Sequence, residues 1–207
     1  MILDLMRTRR SIRRFTPEQL PDEIFLKLVK AAITAPSAGN KQPWRFLVVK
    51  NKEIIESAAH AVDEERRRLA DLLRQEFRAD YDNYSPNFTI FCNAPALIVP
   101  ISRTFAGLSE ALGERATEDD KIFLRSLEHR STLVSVSLAL QNILLMSQAL
   151  GIGACCTTGP LIAENKLADC FKVPEGWRII AVIAVGHPNE QPENPGRKAL
   201  NSVIKWL

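Results

Sequence analysis

The chain has 207 residues, of which 46% are hydrophobic and 25% charged, the balance of a soluble globular protein. That excludes a mostly disordered chain, a collagen-like fibre and a disulfide-knotted miniprotein, and at roughly 150 residues per domain it favours a single domain spanning 1–207. The net charge of +3 and an aromatic content of 7% argue against a dedicated nucleic-acid binder or a stacking platform for single strands.

In chain order, residues 3–10 read as a short helix running into a basic cluster. Thr16-Pro17-Glu18-Gln19 has the form of a capping box with proline at the first helical position. Asp22 and Glu23 open a stronger helix with Ile24, Leu28, Ala31 and Ala32 on one face, and Pro36 ends it. Residues 36–43 form a loop, and Phe46–Val49 a short buried strand. Lys52 to Phe77 reads as one charged helix whose Glu64–Arg68 run is a solvated face of mixed ion pairs. Tyr81–Asn87 is turn-like, and Ala96–Ile101 is a strand bounded by Pro95 and Pro100. Residues 102–120 are mixed in character and read as mobile.

Residues 121–150 are helical, with an apolar section expected to be buried inside the domain or in a subunit interface. Ala154–Thr158 is a short strand, Gly159-Pro160 a turn and Ile162–Phe171 a short helix. Arg178–Val185 is the clearest buried strand. Residues 188–198 are irregular and 200–207 form a tail. Few strands among long helices give the α+β class.

Several chemistries lack their signatures. The four cysteines, Cys92, Cys155, Cys156 and Cys170, form no Cys-x-x-Cys pair, and the vicinal pair reads as buried small hydrophobes. No His-x₃-His spacing marks a metal site, no Gly-x-Ser-x-Gly elbow a hydrolase, and no Gly-x-Gly-x-x-Gly or Walker-type loop a nucleotide site. The N-terminus has no signal-peptide pattern, so a cytoplasmic location is expected, and no unbroken apolar run reaches the roughly 20 residues that span a bilayer.

Two clusters carry chemistry. Arg9-Arg10-Ser11-Ile12-Arg13-Arg14-Phe15 puts four arginines and a hydroxyl within six residues. Guanidinium forks match phosphate oxygens, although an exposed basic turn has the same composition. Ala35-Pro36-Ser37-Ala38-Gly39-Asn40-Lys41-Gln42-Pro43-Trp44 combines small residues, which let backbone approach a flat ligand, with amides that suit a pyrimidine-like ring edge. A helix-ending loop whose amides satisfy backbone groups is the plainer alternative.

Taken in order, the two clusters resemble those of the FMN-dependent nitroreductase family. The resemblance extends to Leu150-Gly151-Ile152-Gly153-Ala154, Val185-Gly186-His187-Pro188 and Pro195-Gly196-Arg197-Lys198. It implies a nitroreductase-like fold, with a central mixed or antiparallel sheet flanked by helices, in an intertwined homodimer with FMN at the interface. By position, Arg9, Arg10, Ser11 and Arg13 would hold the FMN phosphate and ribityl chain, joined by Arg197. Pro36, Ser37, Ala38, Asn40 and Gln42 would line the flavin from the partner subunit, and Thr157, Thr158 and Gly159 would face the isoalloxazine. The resemblance also implies hydride transfer from NADH or NADPH to flavin N5 and ping-pong delivery to a nitroaromatic, quinone or similar acceptor, without a titratable catalytic side chain or a metal. The alternatives are a specialised flavin enzyme on the same fold (a reductive dehalogenase, a flavin-consuming enzyme or an azoline oxidase) and, more remotely, a non-enzymatic basic binding module.

Overall fold

Strand β2 (Ala96–Ser102) is the axis of the molecule, buried along its whole length. The computed structural model, which describes residues 1–103 and 107–207, pairs β2 with β1 (Trp44–Val49) on one side and β5 (Val182–Gly186) on the other. Strand β3 (Gly153–Thr157) lies beyond β5, and the two-residue β4 (Arg178–Ile179) pairs the end of β2. The order is β1-β2-β5-β3, and every pairing among the described residues is antiparallel.

Alternate side chains of β2 face opposite layers. Leu97, Val99 and Ile101 join one apolar cluster with Ile55, Ala58 and Val62 of α3 (Lys52–Leu72) and Leu167 of α6 (Glu164–Cys170). Ala96 and Ile98 join another with Phe25, Leu28 and Ala32 of α2 (Asp22–Ala32) and Val136, Ala139 and Ile143 of α5 (Glu118–Ala149). Helices cover both faces, which is why the apolar runs of β2 and β5 are unbroken although the sheet is antiparallel.

Several sequence expectations need correction. The Thr16–Gln19 segment is not a helix start: Thr16 N–H donates to His187 O at 3.0 Å, Phe15 bridges Pro188, and α2 begins at Asp22 after Pro21. The predicted helix 52–77 is two helices, because Leu73 and Arg74 are extended before α4 (Gln75–Tyr84). The 81–87 stretch is the end of α4 followed by a 3-10 segment, Ser85–Asn93, instead of a turn. Pro100 lies within β2, opposite Phe46. Its carbonyl accepts from Ile180 N–H at 2.9 Å, so the edge without an N–H faces the interruption between β4 and β5, where a sheet tolerates proline. That interruption also divides the expected strand 178–185.

Of the stretch 102–120, residues 104–106 lie outside the described residues, and the rest leads to Thr117, whose hydroxyl and backbone form a capping box with Asp120 that starts α5. Helix α5 is long and apolar enough to cross a membrane by length and composition, a property the interrupted pattern did not predict. Its buried side, including Ser135 and Ser147, packs on α2 and the sheet. Phe123, Leu127, Val134 and Leu138 are exposed and recur at four- and seven-residue steps, the spacing of a single helical face.

Candidate functional site

The basic segment after α1 (Ile2–Thr8) runs extended along β3 and the end of β5. Ile12 N–H donates to Ala154 O at 3.1 Å, and Asn189 N–H to Arg14 O at 2.9 Å. Extended backbone sends neighbouring side chains to opposite sides. Ser11 and Arg13 line a cavity of about 300 Å³ together with Cys155, Cys156, Thr157, Thr158 and Gly159. Arg10 instead lines a separate groove with Thr8, Ile12 and Gly153. Its Nη1 donates to Arg7 O at 2.7 Å and Arg9 O at 2.9 Å, closing the C-terminal end of α1. The six-residue cluster is therefore divided, with Arg10 turned away from Ser11 and Arg13.

The buried Cys155 lines the cavity of Ser11 and Arg13. Burial pushes its thiol up, against the opposing pull of the Arg13 and Arg9 guanidinium groups and a hydrogen bond with Ser11. Burial pushes Cys156 up to about 11, so both thiols stay protonated and unreactive at neutral pH. Arg9 and Arg13 form no ion pair among the described residues, which leaves guanidinium charge available for an anion. Arg197 lies elsewhere: it is exposed and its Nη1 donates to Gly196 O at 2.6 Å, so the structure does not bring it to the cavity within this chain.

Four further residues complete the cavity wall: Tyr84, Asn87, Phe88 and Ile90. Phe88 meets Tyr84 and Tyr81 edge to face, with ring centroids 5.6 and 6.2 Å apart. Gly159 lets it approach, since a Cβ there would sit 2.3 Å from Phe88 Cδ1. The site reading from sequence did not include these residues. The spacing of Tyr81, Tyr84 and Phe88 is the available signal, because side chains three and four apart meet on a helical surface.

The loop 36–43 lies apart from this cavity. Ala38, with Gly39, Lys41 and Pro43, lines a second pocket of about 240 Å³ closed by Glu128, Ser131, Thr132 and Ser135 of α5. Three hydrogen bonds, one to α5 and two local, hold the loop. Ala38 N–H donates to Ser135 Oγ at 3.3 Å, Asn40 N–H to Ser37 O at 2.9 Å, and Gln42 N–H to Ser37 Oγ at 3.0 Å. Gly39, Asn40 and Gln42 all have positive φ, at 58°, 51° and 46°, where asparagine and glycine are at home and glutamine less so. Pro36, Asn40 and Gln42 are exposed. Ser37 thus acts on the loop itself. Hydrogen bonds from the Ser109 hydroxyl and N–H, aided by Lys41, hold the Glu128 carboxyl below its ordinary range.

The residues fit a flat ligand with a phosphate. The larger cavity joins guanidinium and hydroxyl groups to a strand end and an aromatic wall, and the second loop presents backbone and amides on an exposed surface. Residues 6–187 match the nitroreductase family. The chain is 27% identical over 206 residues to iodotyrosine deiodinase of Hydra vulgaris, covering 96% of this chain and 70% of that protein. It is 28% identical over 194 residues to a protein of Archaeoglobus fulgidus provisionally named NADH dehydrogenase/NAD(P)H nitroreductase, covering 92% and 87%. A BluB-like flavoprotein from Clostridium difficile 630 superposes with a TM-score of 0.86 at 24% identity, covering 100% of this chain and 99% of that one. A nitroreductase with bound FMN from Desulfitobacterium hafniense DCB-2 gives 0.74 at 22%, covering 100% and 97%. These likenesses match the antiparallel sheet with helices on both faces described above, and the chain belongs to the nitroreductase family.

Proposed function

We infer that this protein binds FMN between two copies of the chain and passes electrons from NADH or NADPH to a small acceptor. The observation that carries the reading is the division of the site. Ser11 and Arg13 share one cavity with Thr157–Gly159, whereas Ala38 of the amide-rich loop lines another. Two half-sites on one chain become one whole site when a second copy brings its loop to the first copy's cavity. Exposed apolar residues supply the surface for that copy: Phe123, Leu127, Val134 and Leu138 on α5, Ile2, Leu3 and Met6 on α1, and Leu200, Val203 and Trp206 in the tail. Exposed apolar residues on these three elements support an association surface. The outer strand β1 also has a free edge among the described residues.

In this reading Arg9, Ser11 and Arg13 hold the phosphate, with Arg197 joining them in the assembled dimer. Thr157, Thr158 and Gly159 back the ring system, and Phe88 with Tyr84 limits what can lie against it. Bound FMN supplies the hydride-accepting centre, while the chain binds, orients and excludes water. No side chain in the cavity need titrate. Donor and acceptor use the same face in turn, which predicts ping-pong kinetics with nitroaromatics or quinones as acceptors.

A reductive dehalogenase is the second reading. The deiodinase likeness favours it, as does the polar pocket of Lys41, Glu128 and three hydroxyl side chains beside the flavin loop, which suits an acceptor carrying charge. The visible spectrum of the purified protein tests the shared core: it should be yellow, release FMN on denaturation and bleach on anaerobic addition of NADH or NADPH. A colourless protein that cannot be reconstituted with FMN refutes it. Nitroaromatics, quinones and haloaromatic amino acids offered to the reduced protein separate the two readings.

A further inference from the structure

Glu190 is a carboxylate set against the most basic segment of the chain, yet it pairs with none of the arginine side chains among the described residues. A carboxylate beside guanidinium groups ordinarily takes a charge-assisted fork, the strongest bond open to it. Glu190 Oε1 instead accepts the backbone N–H of Arg13 and, at 3.1 Å, that of Arg14. The surrounding backbone bonds explain the need. Ile12 and Thr16 donate to Ala154 and His187, and Arg14 O accepts from Asn189, while the two N–H groups at 13 and 14 find their partner in this side chain. Both residues are exposed, so without Glu190 these N–H groups would turn to water and the segment would be free to take a different local conformation.

Glu190 sits on the far side of the segment from the phosphate-binding cavity, lining the groove that holds Arg10 and Ile12. Its carboxylate oxygen therefore braces the backbone from behind and leaves Arg13 to project forward with Ser11.

We propose that Glu190 is a positioning residue for the anion-binding arm: by fixing the N–H groups of residues 13 and 14 it holds Ser11 and Arg13 on one face, with the guanidinium in no ion pair among the described residues and only a long 3.4 Å bond to Ser11 O, ready for the phosphate of the ligand. The phosphate's identity rests on the flavin reading above. What Glu190 supplies is an acceptor at the right reach, so geometry matters more than charge.

Three substitutions separate the two. Glu190→Gln keeps an acceptor oxygen at the same reach and removes the charge. Glu190→Asp keeps the charge but is one methylene shorter. Glu190→Ala removes both. The measurement is quenching of flavin fluorescence on titration of the apoprotein with FMN and, separately, with riboflavin, which lacks the phosphate. E190A and E190D should weaken FMN binding about tenfold, the size of one lost hydrogen bond, with riboflavin changed less than about threefold, while E190Q stays within about threefold of the parent for both ligands. A loss in E190Q equal to that in E190D overturns the proposal, because charge would then be the operative property. Equal loss of FMN and riboflavin in E190D also overturns it, since that reports general loosening of the cavity. Should E190A fail to fold, E190Q and E190D carry the same contrast. If the parent binds neither flavin, the flavin reading falls and this inference with it, an outcome distinct from parental binding that the substitutions leave unchanged.

Discussion

Replacing Gly159 with alanine is the sharpest test of the cavity wall. Gly159 does not use a positive φ, so the added methyl strains no backbone and acts by contact alone. Built on the existing backbone, the Cβ lies 2.3 Å from Cδ1, 2.9 Å from Cε1 and 3.0 Å from Cγ of Phe88. Carbon atoms sit comfortably at about 3.5–4.0 Å, so the ring must retreat by more than 1 Å at its nearest atom. It retreats against Tyr81 and Tyr84, both packed on it edge to face. Overpacking of this kind costs about 1–3 kcal/mol, and at about 2–4 °C per kcal/mol for a chain of this size the melting temperature should fall by about 2–12 °C. Flavin affinity should fall too, because Phe88 and Gly159 line the same cavity. Calorimetry and flavin titration of G159A, F88L and the double variant close a cycle: the shorter leucine relieves the clash, so the double variant should lose less than the two singles added together. A G159A protein with parental melting temperature and flavin affinity would refute the placement of Phe88 against this turn.

Arg13→Ala should weaken FMN binding by about 1.5–3 kcal/mol, the size of a lost hydrogen bond to a charged group, whereas Arg10→Ala should change it little, since Arg10 caps α1 from the other side; equal effects in flavin titrations would contradict the division of the cluster. Leu138→Asp puts a charge on the exposed apolar face of α5 and should give a monomer by light scattering that no longer retains flavin, whereas a flavin-retaining dimer would move the interface elsewhere. Thr117→Ala removes the hydroxyl that accepts Asp120 N–H at the start of α5 and should cost about 1 kcal/mol in urea unfolding. The Arg178 guanidinium hydrogen-bonds Glu164 and holds its carboxyl below the usual 4.5. A depressed folded-state value stabilises the fold above the unfolded one and is lost as pH falls through it, so Glu164→Gln should be less stable than the parent near pH 7, by under about 1 kcal/mol for a pair whose guanidinium is solvent-exposed, with the gap narrowing as pH falls below 4.5; a pH-independent gap would assign the effect to packing.

The pattern of apolar residues carried most of the architecture, and long-range bonds carried what it missed. β2, β5 and α2 announce themselves because burial on one or two faces writes a period into the chain. Thr16-Pro17-Glu18-Gln19 has every local mark of a helix start, but the bond from Thr16 to His187 holds it extended, and residue 187 is invisible to any local window. The α3–α4 break is of the same kind. Arg78 reaches back to Ala70 O at 2.8 Å and Tyr81 to Arg66 O at 3.0 Å, folding α4 against the end of α3 where periodicity alone runs on. Within the candidate site, motif order led to Ser11, Arg13 and Thr157–Gly159, but composition could not tell Arg10 from its neighbours. Only the extended backbone, with its two-residue alternation, separates them.

The loop 36–43 gives the strongest physical reason to regard a single chain as half of a working unit. Two non-glycine residues with positive φ, Asn40 and Gln42, stand either side of Lys41 and just after Gly39 on an exposed surface. Such conformations cost of order 1–3 kcal/mol each for ill-suited side chains and persist where the surroundings enforce them. Here Ser37 accepts from Gln42, and Ser135 of α5 accepts from Ala38, so the loop is anchored to the helix whose outer face is apolar. The loop's ends, Ala35 and Pro43, are buried, whereas Pro36, Asn40 and Gln42 between them are exposed, so the positive-φ shape is presented to solvent and not packed into the core. On the proposed function, a conformation that is costly, enforced and directed outward is one that a ligand or a second copy would meet, and the helix that anchors it carries the exposed apolar face that reading assigns to the second copy.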